Sequence, residues 1–222
     1  LAITACGADA IDLHSDMKPA RMAIAAALLS AAATGAAVAQ QAASPQTIRL
    51  RGTIEKLDGR AVLAKSSKGE GLTLKLADKV LVVAVVKASP ADIKPGLFIG
   101  SGAMPQPDGS QKAVEVHIFA ESMRGTGEGH RPWDGAPNST MTNGTVGASV
   151  SGVDGPVVTV QYKDGEKKII IGPNVPIVRY EIADTSAIRP GAAFTAVATG
   201  EAADGSFEVS RINVGRDGAL PP

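Results

Sequence analysis

In two stretches between residues 48 and 76 apolar side chains alternate with polar ones. Ile48, Leu50 and Ile54 alternate with charged or polar neighbours, and Leu72, Leu74 and Leu76 do the same. A period of two puts alternate residues on opposite faces of a strand, so these segments predict strands with one buried face. Val80–Val86 is a continuous apolar run, which predicts a strand covered on both faces or closing a barrel. Leu97-Phe98-Ile99 and Ala193-Phe194-Thr195 follow Pro-Gly pairs as further strands. The one helical signal is Ser89-Pro90-Ala91-Asp92-Ile93. A capping serine, a proline at the first position and an acid at the third start a single turn that Pro95 stops.

The pattern is written twice. Arg51-Gly52-Thr53-Ile54 corresponds to Asn143-Gly144-Thr145-Val146, and Asp58-Gly59 to Asp154-Gly155, each a turn between apolar runs. Ile93-Lys94-Pro95-Gly96 returns as Ile188-Arg189-Pro190-Gly191, and Asp108-Gly109-Ser110 as Asp204-Gly205-Ser206. Both copies end on apolar strands, around Val116 and Ile212. Four landmarks in one order at nearly constant spacing define an internal repeat. Each copy reads as five or six strands with one helical turn, and so short a sheet must close or stack to bury its face. The expected fold is all-β. It comprises two tandem OB-like β-barrels, over residues 47–119 and 142–216, joined by residues 120–141 and followed by a tail at 217–222.

This pattern, with Pro107-Asp108-Gly109-Ser110 and the segment Met123 to Asp134 between the copies, resembles a family of exported bacterial proteins of unknown function built from tandem small OB-like domains. The resemblance covers nearly all of the chain after residue 39 and implies the fold and export, with no activity attached. Some such proteins carry an automatic label of metal ABC transporter permease. A permease needs several membrane-spanning helices, and no apolar run after Ala39 approaches spanning length.

Residues 17–39 read as a signal peptide. Lys18 and Arg21 precede an uncharged Ala-rich run that ends Ala37-Val38-Ala39, the small-x-small site expected before cleavage at Gln40. Arg21 stands alone, so a twin-arginine route is not indicated. Residues 1–16 are expected to be an over-extended gene start, and they contain Cys6, the only cysteine. The exported product, periplasmic or secreted, would begin with a flexible stretch at 40–46 and use no disulfide.

Composition narrows the function classes further. Lys+Arg and Asp+Glu both number 22, so nothing argues for a polyelectrolyte partner. Aromatic residues are only 3% of the chain, which leaves little surface for stacking bases. Nucleic acid is therefore not expected as a partner.

Candidate chemistry collects in the joining segment. His130 with Glu128, Asp134 and, from the preceding strand, His117 offers imidazole and carboxylate groups suited to zinc, copper or nickel. Strand alternation puts His117 on the face of Glu115, and its counterpart in the second copy is Asn213, which favours an ordinary surface residue. Trp133, the only tryptophan, and Arg131 and Arg124 are candidates for contact with a ligand or between barrels. The segment is expected to be ordered across the junction, with Trp133 at least half buried and His130 at its rim. Ser122 or Ser139 with His130 and Asp134 could be drawn as a hydrolase triad, but no nucleophile-elbow motif accompanies them. The reading is a non-enzymatic binding or structural module for an unknown periplasmic ligand or protein. Metal handling is the alternative and a hydrolase the third.

Overall fold

The computed structural model describes residues 48–222. The expected gene start, signal peptide and flexible stretch all lie outside the described residues. The described chain is all-β, with strands β1 (Ile48–Asp58), β2 (Ala61–Ser66), β3 (Gly71–Ala88), β4 (Phe98–Pro105), β5 (Gln111–Ile118), β6 (Gly129–Trp133), β7 (Ser139–Val150), β8 (Val157–Tyr162), β9 (Gly165–Ile170), β10 (Ile177–Ala183), β11 (Ala193–Glu201) and β12 (Ser206–Gly215). Three short 3-10 turns, at Pro90–Asp92, Glu121–Met123 and Thr185–Ala187, interrupt them. Among the described residues no helix is long and apolar enough to cross a membrane.

All twelve strands belong to one hydrogen-bonded sheet that curls back on itself. β1, β2, β3, β12 and β11 form a closed five-stranded barrel; the β3–β12 joint is parallel and the others antiparallel. Inward residues of these strands, among them Ile54, Leu74, Phe194 and Ile212, fill its core. The remaining strands pair as β5–β4–β7–β8–β9, with two parallel residue pairs, Gln111↔Ile169 and Lys112↔Ile170, linking β9 back to β5. Ile99, Val116, Val160 and Ile169 pack inside this second group. β10 lies between the two, antiparallel to β3 and parallel to β5.

Neither 47–119 nor 142–216 closes on its own strands, which corrects the expected pair of self-contained barrels. β1–β3 close with β11 and β12, and β4 and β5 join β7–β9. The physical reason is the length of β3. It runs 18 residues and continues beyond its pairing with β2 to pair with β10 from Val82 to Ala88, while β12 stays on its other edge as far as Val85. The turn at Pro90–Asp92, where the Asp92 carboxylate accepts bonds from the Ser89 amide and hydroxyl, then sets β4 down beside β7. Within the Val80–Val86 run, Val82–Val85 are buried on both faces as the pattern predicted, whereas Leu81 is exposed. Val82 enters the barrel core, while Val83 and Val85 pack in a third cluster with Phe98, Phe119 and Tyr180.

The turn chemistry is the same in both halves. The Asp108 carboxylate accepts from the amide and hydroxyl of Ser110 at 2.9 and 2.6 Å, and that of Asp204 from Ser206 at 3.1 and 2.5 Å. The Gly96 amide donates to Val146 carbonyl at 2.8 Å, and the Gly191 amide to Ile54 carbonyl at 2.8 Å.

Candidate functional site

A cleft of about 270 Å³ opens where the outer face of the closed barrel meets β5, β6 and β7. Alternation builds its walls. Along β1, Leu50 turns into the barrel core, so Arg49 and Arg51 point outward. Along β5, Val116 and Ile118 turn inward, so Glu115 and His117 face the cleft. Arg211 comes from β12, Tyr180 from β10, Asn143 from β7, and Arg131 and Trp133 from β6. Pro222 also lines it.

His117 is only 6% exposed, a correction to the surface residue that alternation favoured. Its ring stacks on Tyr180 at 5.3 Å and 14° and meets Phe119 edge-on at 5.0 Å. The face assignment was right, but that face is covered by the barrel. Burial pushes its pKa down to about 3, helped by Arg211 and Arg131, so the ring is neutral at physiological pH. Its Nδ1 has no hydrogen-bond partner, and the nearest carboxylate oxygen, on Glu115, is 3.9 Å away. Burial also raises Glu115 to about 6, against the opposing pull of Arg51 and Arg49.

Asn143 is 4% exposed. Its Nδ2 donates to the Thr126 carbonyl at 2.9 Å, which fixes the amide orientation and leaves Oδ1 as an acceptor without a partner. His117 Nε2 and Asn143 Oδ1 both crowd Gly100, where a Cβ would collide with them. Trp133 lies over Gly102 in the same way and is mostly covered.

The arginines are held to different degrees. Arg49 Nε pairs with Asp134 at 3.2 Å, and Arg131 Nη1 donates to the Gly127 carbonyl at 2.6 Å. Arg211 Nε donates to Asn213 Oδ1 at 2.9 Å and its guanidinium lies 5.7 Å from the Tyr180 ring centroid. The Arg51 side chain has no partner among the described residues.

The four residues weighed as metal ligands are divided. His117 and Asp134 line this cleft, whereas Glu128 and His130 line another groove with Tyr162, Asp164 and Lys167. His130 Nδ1 is bonded to Thr142 Oγ1 at 2.8 Å, and Glu128 Oε1 accepts from the Lys163 amide at 3.1 Å. Among the described residues no group of three or more His, Cys, Asp or Glu side chains is placed to hold a metal ion. Arg124 lies outside the cleft. It donates to both Glu121 oxygens, to Thr145 Oγ1 and to the Gly96 carbonyl, joining the segment to β7 and the Gly96 turn. The Ser139 hydroxyl donates to the carbonyls of Ala136 and Trp133, not to an imidazole.

Sequence reasoning missed Arg49, Arg51, Asn143, Tyr180 and Arg211. The i, i+2 arginines of β1 were visible as a charged strand face. Nothing in the linear pattern shows that Arg211 and Asn143 stand across from them.

Compared with protein-family models, curated proteins and solved structures, the chain matches none.

Proposed function

We propose that the chain is an exported, non-enzymatic binding module whose ligand occupies the arginine-lined cleft. It is built from two OB-like units, over 47–119 and 142–216, that have exchanged their last two strands. The exchange is supported by the crossed bonds of Gly96 to Val146 and Gly191 to Ile54, since both glycines and both acceptors are matched landmarks of the repeat. On this reading the cleft takes its lining from like positions of the two units, Arg51 with Asn143 and His117 with Asn213.

The observation that carries binding is the pair of buried, unpartnered atoms, His117 Nδ1 and Asn143 Oδ1, lining one cleft. Each unsatisfied buried polar group costs about 1–3 kcal/mol, which a bound molecule recovers by bonding to it. Metal handling through His130 and Glu128 is the weaker reading, because both side chains already have protein partners.

Trp133 is the only tryptophan, so intrinsic fluorescence reports on the cleft directly. Titration with a panel of anionic, neutral and cationic metabolites is expected to give a saturable change that Asn143→Leu weakens or removes. A panel that leaves both the fluorescence and the melting temperature unmoved would overturn the binding reading. Export predicts Gln40 as the first residue of the cellular protein, and N-terminal sequencing tests it.

A further inference from the structure

Resting on that reading of the cleft, we infer that its ligand is a small hydroxylated oxyanion of monosaccharide size, a sugar acid or a sugar phosphate. Its carboxylate or phosphate is held by the guanidinium groups and its hydroxyls by Asn143 and His117.

Three observations converge on this chemistry. The first is charge. Among the described residues, the side chains of Arg49, Arg51, Arg131 and Arg211 line one cleft against those of Glu115 and Asp134, and His117 adds no charge there. Asp134 offsets Arg49, while Arg51 has no side-chain partner among the described residues and Arg131 spends one donor on a neutral carbonyl. Guanidinium forks with spare N–H groups in a half-enclosed site match a planar carboxylate or a phosphate.

The second is the kind of hydrogen bond still wanting. Asn143 presents an acceptor, because Thr126 holds its amine. A bare anion has no proton to give it, so the ligand must also carry an O–H or N–H donor. Neutral His117 Nδ1 donates or accepts according to its tautomer, and a hydroxyl satisfies it either way. A polyhydroxylated acid meets both demands with one kind of group.

The third is size. At about 270 Å³ the cleft falls at the lower edge of small-molecule sites, which run from roughly 300 to 1,000 Å³. That is room for one sugar ring, whose apolar body would lie against Trp133 and Tyr180.

The test is a fluorescence titration of the whole exported chain with glucuronate, glucose 6-phosphate, glucose and acetate. Glucuronate or glucose 6-phosphate is expected to bind at least about tenfold tighter than glucose or acetate, and the stronger of the two identifies carboxylate or phosphate as the source. Arg51→Gln, an exposed substitution, should bring that ligand towards the affinity of glucose, and Asn143→Leu towards that of acetate. Equal binding of acetate and glucuronate would overturn the hydroxyl half of the inference. Tighter binding of glucose than of either sugar anion, lost in Asn143→Leu, would overturn the anion half while leaving the cleft as a binding site. Absence of binding by both sugar anions at about 1 mM overturns the ligand class outright.

Discussion

Val85 of β3 and Tyr180 of β10 stand opposite one another in an antiparallel ladder, separated by the same 95 residues that separate Gly96 from Gly191. On one side of this pair Val82 runs parallel to Ile212, and on the other Ile177 runs parallel to Val116. These two joints are also 95 or 96 residues apart, strand for strand. Val85–Tyr180 therefore marks the point about which the proposed exchange turns, and Tyr180 reaches from it to stack on His117 in the cleft.

Cutting the chain should separate exchanged from self-contained units. Residues 48–124 and 125–222, expressed apart, are expected to lack cooperative unfolding and to regain the native β circular dichroism when mixed. Each fragment holds three strands of one ring and two of the other, and so leaves both cores open. Two independently folded fragments would refute the exchange.

Gly96 and Gly191 take φ of 86° and 82°, and nothing lies within 4 Å of a Cβ added at either. The cost of Gly96→Ala or Gly191→Ala is then one of backbone conformation alone, about 1–2 kcal/mol. Urea midpoints of both variants should fall by similar amounts.

Gly102→Ala is expected to push the Trp133 ring off β4, because the new Cβ would meet its six-membered ring at 2.5–2.9 Å. Overpacking of this kind costs about 1–3 kcal/mol. The loss should shrink by at least about 0.5 kcal/mol in a Trp133→Ala background, where the obstacle is gone. A double-mutant cycle on thermal unfolding measures the difference.

The pH dependence has two opposing parts. Glu115 is raised from 4.5 to about 6, so between those values the folded chain holds a proton the unfolded chain has released, and stability falls as pH rises. That effect is on the order of 2 kcal/mol. His117 is lowered from 6.5 to about 3, so its contribution is present above pH 6.5 and is lost as pH falls towards 3. The two slopes cancel between about pH 4.5 and 6. Denaturation midpoints of the unmodified protein should be level there, whereas Glu115→Gln should lose stability steadily below pH 6.5. A level profile in the variant would show that His117 does not titrate as its burial requires.

Local structure was legible in the sequence because its causes are local. The period-two runs became strands, Asp-Gly-Ser became matched turns, and Ser89 to Asp92 formed its capped turn. Which strand closes which ring was not legible. Ile54 and Val146 offer the same backbone carbonyl to a Pro-Gly turn, so closure within a copy and between copies satisfies identical bonds. The cleft was hidden for a related reason. Alternation states which face His117 occupies, and only the long-range pairing of β1 with β11 and of β10 with β5 brings Arg49 and Arg51 to the same cleft.

The pairing of early strands with late ones also governs when the barrel can fold. β1 must wait for β11, and β3 for β12, both of which follow the other ten described strands in the chain. Until they arrive, the first three strands stand as an open ribbon with its apolar face uncovered. Most of the pairing that ends this exposure is distant in sequence, so it is slow compared with hairpin formation. A chain arranged in this way can close its second group once β9 is made, whereas the barrel begun by the first strands stays open until β11 and β12 arrive.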